Sequence, residues 1–345
     1  MKLPIRVGII GTGFGVIGHL ASFEQIGGYQ VVAIAGRDLE KTRKIAKEHQ
    51  IAASYDDYRQ LLANTDTDIV AIASPNTLHK EMFLAALPYK KHIILEKPAG
   101  IDSTEIQEML DKSAGYPKLI IVDHELRFNP YAVRMKEFID AQDIGEVKNI
   151  QLSNYSGYGS DPDAKKHWYR LRKHGGGQTL LIGTHLIDLG RFLVDLPGLA
   201  YGNLVASTVQ PKRKTPDGEI TVDVDEQITG NMMLSNGTNL SFFNTTFGFG
   251  YKNFEIRVLG TKGVLLYDEK SGLFISHSNK QPLTSVEIAD PLSNVQCGKS
   301  FISSSFKYLA ARLLHHLSGG KESFHYCTLR EAYDNMVMLE KLAKH

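Results

Sequence analysis

Cysteine is nearly missing. Cys297 and Cys327 are the two in 345 residues, and with no CxxC pair they argue against a disulfide scaffold or a zinc ribbon. An excess of either charge is missing too: 39 basic and 38 acidic side chains leave a formal net charge of +1 at pH 7. That balance points to neither a nucleic-acid nor a membrane partner. No apolar run reaches the roughly 18 residues of a membrane span. Residues 1–10 lack the organisation of a signal peptide and read directly as a strand. A cytoplasmic location is the expectation from these absences. Repeats and low-complexity stretches are also lacking. What remains is ordinary for a globular chain, 42% hydrophobic and 22% charged, with length enough for two cores.

The first half alternates strand and helix. Ile5-Arg6-Val7-Gly8-Ile9-Ile10 is a short apolar run of the kind buried in a parallel sheet. It feeds Gly11-Thr12-Gly13-Phe14-Gly15, and residues 16–26 continue as a helix. Further strands are expected at 31–35, 68–73, 92–95 and 118–122, with helices at 38–49, 76–87 and 102–113 between them. Repeated βα units imply a doubly wound parallel sheet, a Rossmann domain over residues 1–122.

In the first turn, glycines let the backbone approach a pyrophosphate, and the helix N-terminus offers free N–H groups. Gly11, Thr12, Gly13, Phe14 and Gly15 are therefore cofactor-binding candidates, although Val16 holds the third fingerprint position with Gly15 beside it. After the second strand the chain reads Ala35-Gly36-Arg37-Asp38. Gly36 leaves room and Arg37 is a forked donor suited to a 2′-phosphate, while Asp38 suits a helix cap. NADP(H) is accordingly favoured over NAD(H).

From residue 123 to 345 the pattern changes. A helix at 129–141 precedes strands expected at 147–155, 202–209, 224–234, 238–246, 254–259, 263–267 and 273–277. Turns such as Ser235-Asn236-Gly237 separate neighbours, as in antiparallel hairpins. Helices at 301–317 and 329–344 close the chain. This is an α+β domain with an open, mostly antiparallel sheet, which must bury one face and leaves the other for a substrate wall or a subunit interface. The aromatics Phe242, Phe247, Phe249, Tyr251 and Phe254 read as core or subunit contact.

Two residues carry the chemistry. Lys97, in Glu96-Lys97-Pro98-Ala99, sits just past an apolar strand beside the expected dinucleotide crevice. His185 lies on a helix opened by Gly175-Gly176-Gly177, sharing a face with Leu181 and Asp188 at i, i+4 and i+7 spacing. A histidine there suits removal of an alcohol proton, its ordinary pKa being near working pH.

These segments, with Ser74-Pro75-Asn76-Thr77-Leu78-His79 and Arg127-Phe128-Asn129-Pro130, run in the order of the glucose–fructose oxidoreductase/inositol dehydrogenase (Gfo/Idh/MocA) family, which the whole chain resembles. The resemblance implies a sugar, inositol or related cyclic alcohol as small-molecule substrate, and a homo-oligomer, dimer or tetramer, through the C-terminal sheet. It implies Lys97 and His185 as catalytic residues and adds Ser74, Pro75, Asn76, His79, Glu96 and Lys97 to the cofactor contacts. One departure stands out: many members carry an aspartate four residues before the histidine, where this chain has Leu181. That leaves open a silent cofactor-binding sensor, or a reductase of C=C or C=N bonds.

Tyr155, Trp168, Arg170 and Asp188 are weaker substrate candidates, in or near a segment that also holds Tyr158, His167, Tyr169 and Arg172. Asp123-His124-Glu125 has the chemistry of a metal or proton-relay site, but reads first as a polar hinge. His315-His316 lacks metal-ligand spacing, so no metal is expected. Lys212-Arg213-Lys214 reads as a solvated loop.

Overall fold

Short apolar strands buried on both faces can pack only inside a two-sided sheet, and that is what the first half of the chain forms. The computed structural model describes residues 1–161, 168–215, 218–296, 300–321 and 324–343. Strands β1 (Ile5–Ile10), β2 (Tyr29–Ala35), β3 (Ala53–Tyr55), β4 (Ile69–Ile72), β5 (His92–Glu96) and β6 (Ile120–Asp123) lie in the order β3-β2-β1-β4-β5-β6. Every neighbouring pair is parallel. The order reverses at β1/β4, so a crevice opens beyond the carboxyl ends of those strands. A π-helical turn, Gly15–Leu20, runs into α1 (Ala21–Gln25). Next come α2 (Leu39–Glu48), α3 (Tyr58–Asn64), α4 (His79–Ala86) and α5 (Ser103–Lys112). Asp38, Asp57 and Asp102 cap α2, α3 and α5 by accepting from the amides of Lys41, Arg59 and Glu105.

In the second half, α6 (Pro130–Asp140), capped by Asn129, leads to β7 (Val147–Tyr155). Helix α7 (Thr184–Leu193) then precedes β8 (Leu199–Ser207), the ribbon β9 (Lys212–Thr215) and β10 (Gly218–Thr221), and strands β11 (Gln227–Leu234), β12 (Asn239–Thr245), β13 (Asn253–Gly260), β14 (Val264–Asp268), β15 (Gly272–Ser276) and β16 (Thr284–Val286). The large sheet has the order β16-β15-β14-β13-β7-β12-β11-β8 and is antiparallel except for the parallel pair β7/β12. Alternation along β11 buries Ile228, Met232 and Leu234 and leaves Thr229 and Asn231 outward, so one face is core and the other open. The expected α/β plus mixed-sheet architecture is what forms. Phe242 and Phe254 are core, whereas Phe249 and Tyr251 are exposed.

Two features differ from expectation. The chain divides into Met1–Phe128 with Asp290–Tyr333, and Asn129–Ala289 with Asp334–His345, rather than at residue 122. The cause is apolar: helix α8 (Phe301–Ser304) leads into α9 (Phe306–Leu317), whose Phe306, Leu309, Leu313 and Leu317 join Ile5, Val7, Phe23 and Ile34 in one buried cluster. Ahead of α10 (Leu329–Leu342), the Cys327 carbonyl accepts from the Val122 amide and covers the edge of β6. Second, Lys212-Arg213-Lys214 is strand, not loop. Arg213 is buried there, donating to Glu226 and to the Gly159 carbonyl.

Candidate active site

In the first unit the glycine turn is built by close approach. Gly11 has φ +128°, and a Cβ there would fall 2.1 Å from the Ala73 carbonyl oxygen, so no side chain fits where β1 leaves the sheet against β4. A Cβ on Gly15 would press on Ile9 and Ala73 at 3.0 and 3.2 Å. Gly15 thus does the helix-to-sheet packing of the third fingerprint glycine, which explains why Val16 is tolerated beside it. Gly13 is exposed, with nothing within 4 Å of its Cβ position. A bare, open backbone at a helix start is what a dinucleotide diphosphate requires, so this turn fits the cofactor. Phe14 folds over Gly18 and meets the His19 ring edge-on at 5.6 Å.

The cofactor-selecting step after β2 needs one correction. Gly36 does not leave room for a ligand: a Cβ there would lie 2.4 Å from the Thr12 methyl and 2.9 Å from the Thr42 hydroxyl. It is a packing glycine. Arg37 is exposed, and Asp38 caps α2 as expected.

Lys97 follows β5 directly and is half-buried, with a cis peptide to Pro98. Two sets of contacts hold this corner. His79 is fully buried, its Nδ1 2.8 Å from the Pro98 carbonyl and its Nε2 2.9 Å from the Ser74 carbonyl. Burial pushes the imidazole below its ordinary pKa, while the two carbonyl contacts work in the opposite direction. His79 therefore ties the Ser74-Pro75-Asn76 step to the Lys97–Pro98 corner. Asn76 is buried and Ser74 and Pro75 half-buried.

The second set lies beneath the lysine. Glu96 and Asp123 end adjacent strands as register partners, so their side chains leave the same face of the sheet. His19 Nε2 lies 3.0 Å from Glu96 Oε1 and 2.9 Å from Asp123 Oδ2. Its ring stacks on Phe306 at 4.0 Å. Burial drives the Asp123 carboxyl well above its usual range, with Glu96 adding to the effect. Burial also pushes Glu96 upward, but the His19 ring and the Lys97 charge outweigh it and leave Glu96 below its usual value. Glu125 is buried and raised by the same desolvation, then by Asp123 and Glu96. Asp123-His124-Glu125 is thus more than a hinge: its first acid belongs to a buried acid–base cluster.

In the second unit the triple glycine packs against its own chain. A Cβ on Gly176 would reach the Tyr169 carbonyl at 2.3 Å, and one on Gly177 (φ +107°) the Asp225 carboxylate at 2.4 Å. Asp225 accepts from the Thr179 amide at 2.6 Å and its hydroxyl at 2.8 Å, fixing the helix start. That start is a π-turn, Thr179–Gly183, before α7 begins. The wide turn changes the phase between Leu181 and His185 from that of an unbroken α-helix. Leu181 is half-buried, and His185 and Asp188 are buried. Asp188 accepts from Asn335 Nδ2 at 2.7 Å, and Asn335 in turn accepts from Arg191, a network that anchors α7 inside its unit. Tyr155 packs on Phe243 and Tyr251 at 5.5 and 5.0 Å. Arg170 is buried and donates to the Tyr158 carbonyl at 2.8 Å. The backbone of Trp168 opens a short 3₁₀ turn, Trp168–Arg170, while its side chain and all of His167 lie outside the described residues.

Comparison with known proteins agrees with the fold. A model described as an oxidoreductase family with an NAD-binding Rossmann fold matches residues 5–124, and the GFO/IDH/MocA C-terminal domain matches residues 132–266. The chain belongs to the GFO/IDH/MocA oxidoreductase family. It is 29% identical to an uncharacterized oxidoreductase of Synechocystis sp., over 76% of this chain and 71% of the relative. It is 27% identical to levoglucosan dehydrogenase of Pseudarthrobacter phenanthrenivorans, over 80% of this chain and 77% of that enzyme. A solved levoglucosan dehydrogenase in complex with NADH shares the fold, with TM-score 0.85 at 23% identity over 98% of this chain and 95% of that one. The chain is thus an NAD(P)-dependent oxidoreductase of the GFO/IDH/MocA family. Among its described residues, no helix is long and apolar enough to cross a membrane.

Some buried polar residues of this family member were not legible in advance. Asp225 was missed, as was the buried ladder in which Asn154 donates to Asn244, Asn244 to Gln178 and Gln178 to the Tyr158 hydroxyl. Asn154 and Asn244 fall at inward positions of strands β7 and β12, and that break in apolar alternation was the available signal.

Proposed function

We propose that this chain moves a hydride between nicotinamide C4 and the carbinol carbon of a sugar-like, inositol or cyclic alcohol, forming or reducing a ketone. The observation that carries the reading is Lys97, half-buried directly after β5, between Glu96, which meets His19, and Pro98, whose carbonyl meets His79, in a chain with a levoglucosan dehydrogenase among its relatives. The nicotinamide, when bound, accepts or supplies the hydride. His185 takes the hydroxyl proton as the carbonyl forms, and Lys97 stabilises the developing alkoxide by a charge-assisted hydrogen bond. Gly11 to Gly15 receive the diphosphate.

Arg37 carries the preference for NADP(H). It is exposed and, among the described residues, forms no ion pair, whereas Asp38 is committed to capping α2. Purified protein with NADP⁺ or NAD⁺ and a panel of sugars, inositols and dihydrodiols, followed by nicotinamide absorbance, tests both points. Turnover is expected with an alcohol of this class, with higher kcat/KM for NADP⁺, and Arg37→Ser should cut that preference at least tenfold. Equal use of both cofactors would refute the role of Arg37. A second reading rests on Leu181, which cannot bind a hydroxyl: a sensor that holds cofactor without turnover. Silence across the panel with cofactor binding intact would select it.

The open face of the second sheet, with Thr229 and Asn231 outward, is the surface through which copies of the chain associate in this reading. Light scattering should give a multiple of 38.4 kDa, and a monomer at that mass would refute it.

A further inference from the structure

His19, Glu96 and Asp123 hold more acid than their hydrogen bonds can satisfy as ions. His19 Nε2 carries at most one proton, yet two carboxyl oxygens stand 3.0 and 2.9 Å from it. Asp123 and His19 are wholly buried and Glu96 is 7% exposed. Asp123 Oδ1 and His19 Nδ1 meet no hydrogen-bond partner among the described residues. Two ionised carboxylates side by side, sharing one N–H and shut off from water, would repel strongly. The cluster therefore keeps one proton more than free carboxylates would hold near neutrality. Asp123 is the carboxyl that holds it, being deeper in the unit, while Glu96 borders the Lys97 cation.

We propose that His19, Glu96 and Asp123 are positioning residues, a buried lock that shares one proton between the two carboxyls, fixes Lys97 at the end of β5, and opens when that proton is lost in alkaline solution. The inference rests on the role given to Lys97 above. Three elements meet in the lock: the first helix through His19, β5 through Glu96 and β6 through Asp123. Its hold on β5 reaches Lys97 through a single peptide bond. Charged and titratable groups face it from several elements. Lys97 favours the ionised form of each carboxyl, and Asp123 and Glu96 oppose ionisation of Glu125. His79, on α4, faces the carbonyls of Pro98 and Ser74. Arg127, the nearest arginine along the chain, is engaged by Glu331 at 2.9 Å. From α9 the lock meets the Phe306 ring, which brings no charge. Deprotonation would thus place two carboxylates on neighbouring strand ends with Lys97 as the nearby cation, and the strand ends would part.

Two measurements test this on the full-length protein. The first is infrared spectroscopy at pH 7: wild type should show C=O absorption of protonated buried carboxyls, and Asp123→Asn should lose a component of it that Glu125→Gln keeps. No such band, or an unchanged band in Asp123→Asn, overturns the lock whether or not the protein turns over. The second is the pH dependence of kcat. Asp123→Asn keeps a neutral hydrogen-bonding side chain and should retain turnover, with its alkaline limb moved up by at least one pH unit or abolished. Asp123→Ala removes the bond and should lower kcat at least tenfold, with cofactor KM changed less than threefold, and asparagine should recover most of that loss. An alkaline limb that stays in place in a folded Asp123→Asn protein refutes the positioning role. Failure of the Lys97 assignment reads out separately, as turnover in Lys97→Met with the infrared band intact.

Discussion

Lys97→Met is expected to lower kcat by at least ~10²–10³-fold, the scale of losing one preorganised donor to a developing oxyanion, or about 2.7–4 kcal/mol. Methionine keeps the length and apolar stem of lysine and deletes only the charge and its hydrogen bonds. The corner itself should survive, because His79 and Glu96 hold the backbone on both sides without using the Lys97 ammonium as their only partner. Cofactor affinity is therefore expected to stay within a few-fold, measured by nicotinamide fluorescence titration, and the melting temperature to move little. A variant that binds cofactor normally and turns over like wild type would remove Lys97 from the chemistry and leave it as a surface cation at a strand end.

The contrast between what was readable and what was not follows from the range of the interactions. The βα alternation, the Asp38 cap and the glycine turn are local: each is encoded within a few residues, and the structure places them where the pattern does. Gly36 shows the limit of local reading. A glycine beside a cofactor-selecting arginine suggests space for a ligand, yet the methyl of Thr12, 24 positions earlier, fills that space. The acid–base cluster is more remote still. Glu96 and Asp123 become neighbours only through the β5/β6 register, and His19 reaches them from a helix 77 residues before Glu96. The return of α9 to the first unit was hidden for the same reason: an amphipathic helix states which face it buries but not against what. The π-turn before α7 had no signature that propensity reasoning detects, because Thr179–Gly183 is compatible with an ordinary helix start.

That π-turn bears on the second large effect, His185→Asn, expected to lower kcat by ~10²–10⁴-fold as for loss of a general base. Asparagine retains polarity and approximate size within a buried helix position, so a fall in rate with unchanged thermal stability would report proton transfer rather than packing. Asp188 cannot stand in as the base, since its carboxylate accepts from Asn335 and secures α7. Leu181 cannot either, having no titratable group. Replacing His185 should also remove the acid limb of the pH–rate profile, because it is the one imidazole of α7. A His185→Asn protein whose rate and acid limb match wild type would show that the proton leaves by another route. The absence at Leu181 of the aspartate that many family members carry would then fit a substrate with no hydroxyl to bind there, and the reductase alternative, which needs a proton donor but no alcohol-binding aspartate, would gain the stronger claim.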